Sequence, residues 1–195
     1  MIIRKAEKKD CVAIMQLVNE LAVYEKEPNA VTVSMEHFVE SGFGNNPVWE
    51  AYVVESASPN PSEGGGQADT NSKIEVKKEV NTNFVYLSPL ESSKFAPPSG
   101  EIEGAVVFGF ALYYVRYSTW KGQRMYLEDF YVTEKKRGNN AGKLLFDTLI
   151  AVCKERKYSG LVWQVLDWNE PAINFYKKYD GVKFDAEWVN CSMEF

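Results

Sequence analysis

The sequence predicts an α/β (α+β) fold, in which a mixed sheet carries helices on both faces. Segments with the two-residue apolar period of strands alternate with segments of helical period, in the order β-α-α-β-β-β-α-β-α-β. The chain has 195 residues, of which 45% are hydrophobic, and this is enough for one domain with a buried core. We therefore predict a single domain over residues 1–195.

The N-terminal quarter of the chain predicts two strands with two helices between them. Residues 2–4 form the first strand, and Asp10 can cap a helix with apolar residues at helical spacing. Those residues are Ile14, Leu17, Val18, Leu21 and Ala22. A second, short helix follows Ser34 and stops near Gly42. Residues 49–54, WEAYVV, form the next strand.

A flexible insertion interrupts the predicted domain at about residues 56–100. Residues 56–72 have almost no large apolar side chain and include three consecutive glycines, which is typical of a surface loop. The rest contains a possible strand, NFVYLS, and a turn at Pro97-Pro98. The segment buries too little to fold alone, so we interpret it as an insertion between two strands.

A β-hairpin follows the insertion. Residues 104–117 and 123–132 predict long strands, and the turn Trp120-Lys121-Gly122 joins them as an antiparallel pair. The helix after the hairpin has one apolar face, formed by Ala141, Leu144, Leu145, Thr148, Leu149 and Val152.

The C-terminal segments predict a strand over residues 161–168, a helix and a final strand or hairpin over 182–195. Asn169 caps the helix, and Glu170 and Pro171 occupy its first turn, where both residue types are favoured.

Composition narrows the class of partner. The net charge of −5, without a basic block, argues against nucleic acid, and no apolar run reaches the length of a signal peptide or membrane span. Cys11, Cys153 and Cys191 lie too far apart for a disulfide framework or a metal site, and His37 has no second ligand nearby. We predict no metal, no membrane partner and a cytoplasmic location.

Residues 137–142, RGNNAG, lie where the helix after the hairpin must begin. Small residues there expose unpaired backbone N–H groups at the positive end of the helix dipole, which can bind an anion. Asn140 tolerates a positive φ, and Arg137 and Lys143 can add charge for a phosphate. An ordinary tight turn explains the same pattern, and the full motif of a nucleoside-triphosphate P-loop is absent.

The segment YLEDFYV places two carboxylates, Glu128 and Asp129, in an apolar strand. Strict alternation puts one on each face, and a half-buried carboxylate there has a raised pKa and can act as a base. The alternative is an edge strand or a bulge at which both carboxylates reach water. Tyr176 lies in a predicted helix, and considered alone it is best explained as a tyrosine packed in the core.

Together these segments resemble the GNAT (general N-acetyltransferase) superfamily, through Arg137-x-x-Asn140-x-Gly142 and Asn169-x-x-Ala172-x-x-Phe175-Tyr176. The chain is most similar to the diamine and polyamine (spermidine/spermine N1-) acetyltransferases and to the thialysine acetyltransferases. The supporting segments are LAVYEKE, SGFGNNP, YSTWKG, YLEDFYV, RGNNAG and LDWNEPAINFYKK. The resemblance implies a mostly antiparallel sheet, splayed between two central strands. Asn140 stands where the family usually has glycine.

The resemblance implies acetyl transfer from acetyl-CoA to a primary amine of a small diamine or polyamine, by direct attack on the thioester. Glu128 is the implied general base and Tyr176 the implied general acid. The implied acetyl-CoA-binding residues are Phe130, Tyr131, Val132, Arg137, Gly138, Asn139, Asn140, Ala141, Gly142, Lys143, Asn169, Glu170, Pro171, Ala172 and Tyr176. The implied residues for the small cationic substrate are Tyr24, Glu25, Glu128, Asp129, Val162, Trp163, Gln164 and Glu187.

Two other functions stay open. One is acetylation of thialysine or another amino-acid-like amine. The other is a catalytically silent acetyl-CoA-binding module, which Asn140 favours and the presence of both Glu128 and Tyr176 opposes. Tyr24 and Glu25 can also simply end a helix. A homodimer is implied by the resemblance alone.

Overall fold

A five-stranded sheet in the order β1-β2-β3-β4-β5 organises the protein in the computed structural model, which describes residues 1–56 and 105–193. The strands are β1 Ile2–Lys5, β2 Glu50–Glu55, β3 Val107–Ser118, β4 Gly122–Val132 and β5 Leu161–Trp163. Strands β1 to β4 pair antiparallel, each with the next. The predicted α/β (α+β) class and the mostly antiparallel sheet are confirmed. The predicted insertion lies outside the described residues, apart from Ser56.

Four helices accompany the sheet in the described residues, and two of them begin with a side-chain cap, of which the one at Asn169 was predicted. The helices are α1 Cys11–Tyr24, α2 Met35–Phe43, α3 Ala141–Glu155 and α4 Glu170–Tyr176. The hydroxyl of Ser34 accepts the N–H of His37 at 3.1 Å, which satisfies a free donor at the start of α2. Asn169 does the same for α4, accepting the N–H of Ala172 at 3.2 Å. None of the helices in these residues has the length and apolar character needed to cross a membrane.

Asp10 precedes α1 but does not cap it, so that prediction is wrong. Its carboxylate accepts the N–H of Glu7 at 2.7 Å and both terminal nitrogens of Arg4, at 2.6 and 2.9 Å. Asp10 is only 5% exposed. Leaving so deeply buried a carboxylate without a charged partner would cost more free energy than the loss of one helix cap. Arg4 also binds Glu55 at 2.8 Å, so the network joins β1 and β2 to the entry of α1.

Helices cover both faces of the sheet, as predicted. On one face, here called the α1 face, α1 and α2 pack on Phe110, Leu112 and Tyr131 in a continuous apolar core. On the opposite α3 face, the ring of Phe146 lies 5.8 Å from that of Phe130, and the sulfur of Cys153 lies 3.6 Å from that of Met125. Alternate residues of β3 therefore belong to two separate cores.

Two C-terminal strand predictions are wrong in the described residues. The strand predicted over 161–168 ends at Trp163, and residues 182–193 contain no strand. Trp188 and Val189 are 79% and 85% exposed, so no apolar surface there holds a strand in register. The chain divides into two compact units, Met1–Val162 and Trp163–Phe195, and the prediction of one domain over 1–195 stays a prediction.

Strand β5 is much shorter than its neighbour in the sheet. It has three residues where β4 has eleven, so it can pair with only part of β4. The rest of that edge of β4 has no assigned strand neighbour among the described residues. This is the arrangement expected of a sheet that is splayed there, and it leaves outward-directed backbone groups available.

Candidate active site

A β-bulge interrupts the pairing of β3 with β4 at Glu128. Tyr113 pairs with Leu127 and Leu112 with Asp129, which leaves Glu128 as the extra residue. A bulge bends its strand and changes the direction of the side chains around it, and bulges are frequent beside active sites. The bulge is therefore the first local feature that marks this part of the sheet.

The bulge brings both carboxylates of YLEDFYV to the α1 face. Asp129 lies opposite Leu112, and directly opposed residues share a face. Burial raises the pKa of Tyr114 and the nearby carboxylate of Glu128 raises it further, and Tyr114 follows Leu112 on that same face. The prediction of one carboxylate on each face is therefore wrong, because strict alternation does not continue through a bulge.

A third carboxylate, that of Glu25 at the end of α1, adds to the negative charge around the bulge. Burial, together with the negative charges of Glu128 and Glu25, raises the pKa of Asp129 to about 6. Burial also raises the pKa of Glu25. A half-buried carboxylate with a raised pKa was expected in this strand, and the structure identifies it as Asp129. The cluster suits a cationic ligand.

Aromatic and basic side chains continue along the α1 face beyond the bulge. Tyr114 and Tyr126 are paired across the strands with ring centroids 5.2 Å apart, and the guanidinium of Arg116 lies 5.7 Å from the Tyr126 ring. Arg124 lies directly opposite Arg116. We call Glu128, Tyr114, Tyr126, Arg116 and Arg124 the open strip, since each is half-buried or exposed.

Sequence reasoning did not select the tyrosines and arginines of the open strip as site residues. The signal that could find them is the adjacent Glu128-Asp129 pair in an otherwise apolar strand, for which a bulge is one of the open interpretations. Once the bulge is placed, the cross-strand register assigns Tyr114 and Tyr126 to the same face as both carboxylates.

Arg137 connects a predicted substrate residue with predicted cofactor residues. Its guanidinium carbon lies 4.8 Å from the ring centroid of Tyr24 and 5.2 Å from that of Tyr131. Its Nε donates to the carbonyl of Val132 at 2.9 Å. The end of α1 is thereby held against β4 and the turn that follows it.

The turn before α3 has the backbone shape that the sequence predicts. Gly138 and Asn140 have φ angles of 82° and 62°, in the left-handed region that glycine and asparagine tolerate best. The side chain of Asn140 does not cap the helix, so the first-turn N–H groups of α3 point outward without a side-chain acceptor from that residue. No atom of the described residues lies within 4 Å of a Cβ added at Gly138, so this part of the chain leaves the turn accessible. Lys143 is paired with Asp147.

The remaining predicted residues, apart from Val162 in β5, lie in the second unit. Tyr176 is 5% exposed, and its ring lies 4.9 Å from that of Trp163 and 5.3 Å from that of Phe175. Burial raises the pKa of Tyr176, so its phenol keeps its proton at neutral pH. Gln164 donates to Asn190 at 2.7 Å, and Glu187 is exposed.

The structure thus brings one predicted set together in the first unit, namely Tyr24, Glu25, Glu128, Asp129, Phe130, Tyr131, Val132 and Arg137. Residues 163–164, 169–172, 176 and 187 belong to the second unit. Across residues 1–56 and 105–193, no three His, Cys, Asp or Glu side chains are grouped as metal ligands would be.

Comparisons with known proteins agree with this geometry. The sequence model of the acetyltransferase (GNAT) family matches residues 77–181. The chain is 34% identical over 176 residues to the thialysine N-epsilon-acetyltransferase of Bos taurus, covering 90% of this chain and 81% of that protein. It is 27% identical over 185 residues to the human spermidine/spermine N(1)-acetyltransferase-like protein 1, covering 95% of this chain and 21% of that protein. An aminoglycoside acetyltransferase structure from a soil metagenome superposes with a TM-score of 0.62 at 13% identity, covering 98% of this chain and 95% of that one, and shows the same fold.

Proposed function

Because this chain belongs to the GNAT family of acetyltransferases, we propose that it transfers the acetyl group of acetyl-CoA to the primary amine of a small cationic molecule. The observation that carries the proposal is the cluster of Glu25, Glu128 and Asp129 at the bulge of β4. Two classes of acceptor fit a cationic amine site. One is a diamine or polyamine, and the other is an amino-acid-like amine such as thialysine, on which the relative from Bos taurus acts by name.

Glu128 is the general base of the proposed reaction. An amine with a pKa of about 10.4 is almost fully protonated at pH 7, and its deprotonation costs roughly 4 to 5 kcal/mol. Glu128 is exposed at the bulge and lies near the hydroxyl of Tyr114, so it can take the proton directly or through one water. Asp129 lies beside it as a second negative charge for the incoming cation.

The cofactor-binding residues that we propose are those named in the sequence analysis. The backbone amides of Phe130 and Val132, which alternate with residues bonded to β3, suit the amide groups of the pantetheine arm and the oxygen of the thioester. The uncapped first turn of α3 and the left-handed turn before it suit the pyrophosphate, because both direct N–H groups at one anion. Arg137 holds Tyr24 and Val132 in place from the same turn.

Tyr176 is the proposed donor to the sulfur of coenzyme A. The acceptor nitrogen forms a bond to the thioester carbon, the carbon–sulfur bond breaks, and the electron pair leaves on sulfur. A thiol has a pKa of about 8.5, whereas the buried phenol of Tyr176 has a pKa above its usual value of about 10. Full proton transfer is therefore uphill, so we assign Tyr176 mainly the role of a hydrogen-bond donor that stabilises the leaving thiolate.

The test is release of coenzyme A thiol from acetyl-CoA with spermidine, spermine, putrescine, thialysine, lysine and a histone-tail peptide as acceptors. We expect turnover with at least one small amine, above the background without acceptor and above that with the peptide. Calorimetric binding of acetyl-CoA is the matched control. Binding of acetyl-CoA without thiol release for any acceptor would leave a silent binding module and contradict the proposed function.

The homodimer and the cytoplasmic location stay proposals that rest on the resemblance and on composition. Light scattering of the purified protein measures the first. A mass of one 22.2 kDa chain at the concentrations used for the assay would contradict it.

A further inference from the structure

Two arginines of the open strip lie opposite each other in the register of the hairpin, and the guanidinium of one of them, Arg124, packs against Gly160. Arg116 of β3 is directly opposite Arg124 of β4, and like charges in that position destabilise a sheet. Among the described residues, no carboxylate lies within 4.0 Å of either guanidinium, although Arg4 and Arg156 each have at least one. The described part of the chain therefore leaves the pair able to bind an external anion.

The arginine pair lies on the same face as the proposed base. Tyr114 and Tyr126 form the next cross-strand pair toward the bulge, and side chains two residues apart on a strand share a face. Burial raises the pKa of both tyrosines, Glu128 raises it further, and Arg116 opposes that increase. The open strip thus has a negative end, an aromatic middle and a positive end.

We propose that Arg116 and Arg124 bind the α-carboxylate of an amino-acid acceptor whose side-chain amine lies at Glu128 and Asp129. This inference rests on the proposed function and selects one of its two acceptor classes. Guanidinium groups bind carboxylates through paired hydrogen bonds, which makes arginine the preferred residue for such a site. A diamine or polyamine that extended along the strip would instead place a second ammonium beside two arginines.

The length of the open strip agrees with an acceptor of the size of lysine. Along β3, Leu112 lies four residues from Arg116, a distance of about 14 Å at ~3.4 Å per residue. Their cross-strand partners, Asp129 and Arg124, mark the two ends of the same span on β4. An extended lysine spans roughly 8 Å from carboxylate to amine with bonds of ~1.5 Å. A hydrogen bond of about 2.9 Å at each end covers the remainder.

The test uses matched acceptors that differ only in the carboxylate, lysine against cadaverine and ornithine against putrescine. Binding is measured by calorimetry, and kcat/KM by thiol release from acetyl-CoA. Arg116→Gln is the main variant, because Arg116 is exposed and a polar substitution at an exposed position should leave the fold intact. Arg124→Lys keeps the charge of the half-buried partner, and Lys121→Ala removes a positive charge from the hairpin turn outside the strip.

We expect R116Q to weaken lysine binding and lower its kcat/KM by about tenfold or more, while cadaverine is unchanged or improved. R124K should weaken lysine binding severalfold, and K121A should change neither acceptor by more than about twofold. Equal effects of R116Q on lysine and cadaverine, or no effect on lysine, would overturn the inference even if the enzyme acetylates amines. Weaker lysine binding by R116Q without turnover of any acceptor would support the carboxylate site and contradict the proposed function instead.

Discussion

On the α1 face of the β3–β4 hairpin, Phe110 and Leu112 are buried beneath α1 and α2, whereas the next two side chains of β3, Tyr114 and Arg116, are half-buried and exposed. The bulge at Glu128 lies at the boundary between these two halves. The covered half is apolar and continuous with the helices, and the open half carries charge and aromatic rings. One extra residue in β4 thus allows a single strand pair to supply both a core and a reactive surface.

The largest effect should come from removing the proposed base at that boundary. Glu128→Gln should lower kcat by about 10²- to 10⁴-fold at pH 7, the usual contribution of a general base. The deficit should shrink as the pH approaches about 10, because solvent then supplies the unprotonated amine. Thiol release measured from pH 7 to 10 tests this.

The control for that change is Glu134→Gln, which removes an exposed carboxylate outside the site. It should leave kcat within about twofold of the parent enzyme. A Glu128→Gln enzyme with less than a tenfold loss at every pH would move the role of the base to another group.

Side chains in the covered half of β3 should contribute much more to the free energy of unfolding than side chains in the open half of the same strand. Phe110 is fully buried, so Phe110→Ala should cost about 3–5 kcal/mol in the free energy of unfolding. Tyr114→Phe removes only the hydroxyl of a half-buried ring and should cost about 1 kcal/mol or less. Urea denaturation of both variants measures the difference. Similar losses of stability would show that the two halves form one core.

The helices and the first four strands could be predicted because each is encoded locally. Ser34 and Asn169 cap the helices that follow them, and the hairpin turn separates two strongly apolar runs. A bulge at the Glu128-Asp129 pair is one of the alternatives that the sequence leaves open. Composition could not decide between it and strict alternation, because one extra residue leaves the composition of β4 unchanged while it shifts Asp129 to the opposite face. Whether Asp10 caps α1 or binds Arg4 could not be predicted from the pattern of α1. It depends on where the pairing of β1 places the guanidinium of Arg4.

The acidic cluster predicts a pH-dependent stability that the covered half lacks. Burial, with Glu128 and Glu25, raises the pKa of Asp129 to about 6, against about 3.9 in the unfolded chain. Between pH 4 and 6 the folded protein therefore binds a proton that the unfolded chain has released, so stability falls as pH rises. The cost of ionised Asp129 above pH 6 is roughly 3 kcal/mol at most.

Asp129→Asn removes the group responsible for this pH dependence. Compared with the parent protein, the variant should gain more in free energy of unfolding at pH 7 than at pH 4.5. Denaturation at the two pH values gives the comparison, and Asp180→Asn controls for loss of one exposed negative charge. If the Asp129→Asn variant kept the pH slope of the parent protein, a different group would be responsible for it.

The smallest effect concerns Asn140, which stands in the turn where the family usually has glycine. Its φ of 62° suits glycine without strain, and its side chain does not cap α3, so Asn140→Gly should change the free energy of unfolding by less than about 0.5 kcal/mol. Asn140→Ala, by contrast, should cost about 1 kcal/mol, because alanine resists a positive φ. If the asparagine side chain only crowds the phosphates, Asn140→Gly should bind acetyl-CoA about two- to fivefold more tightly in calorimetry. Weaker binding would show that the side-chain amide of Asn140 itself contacts the cofactor. A side-chain hydrogen bond would then take the place of the backbone flexibility that glycine provides in the family.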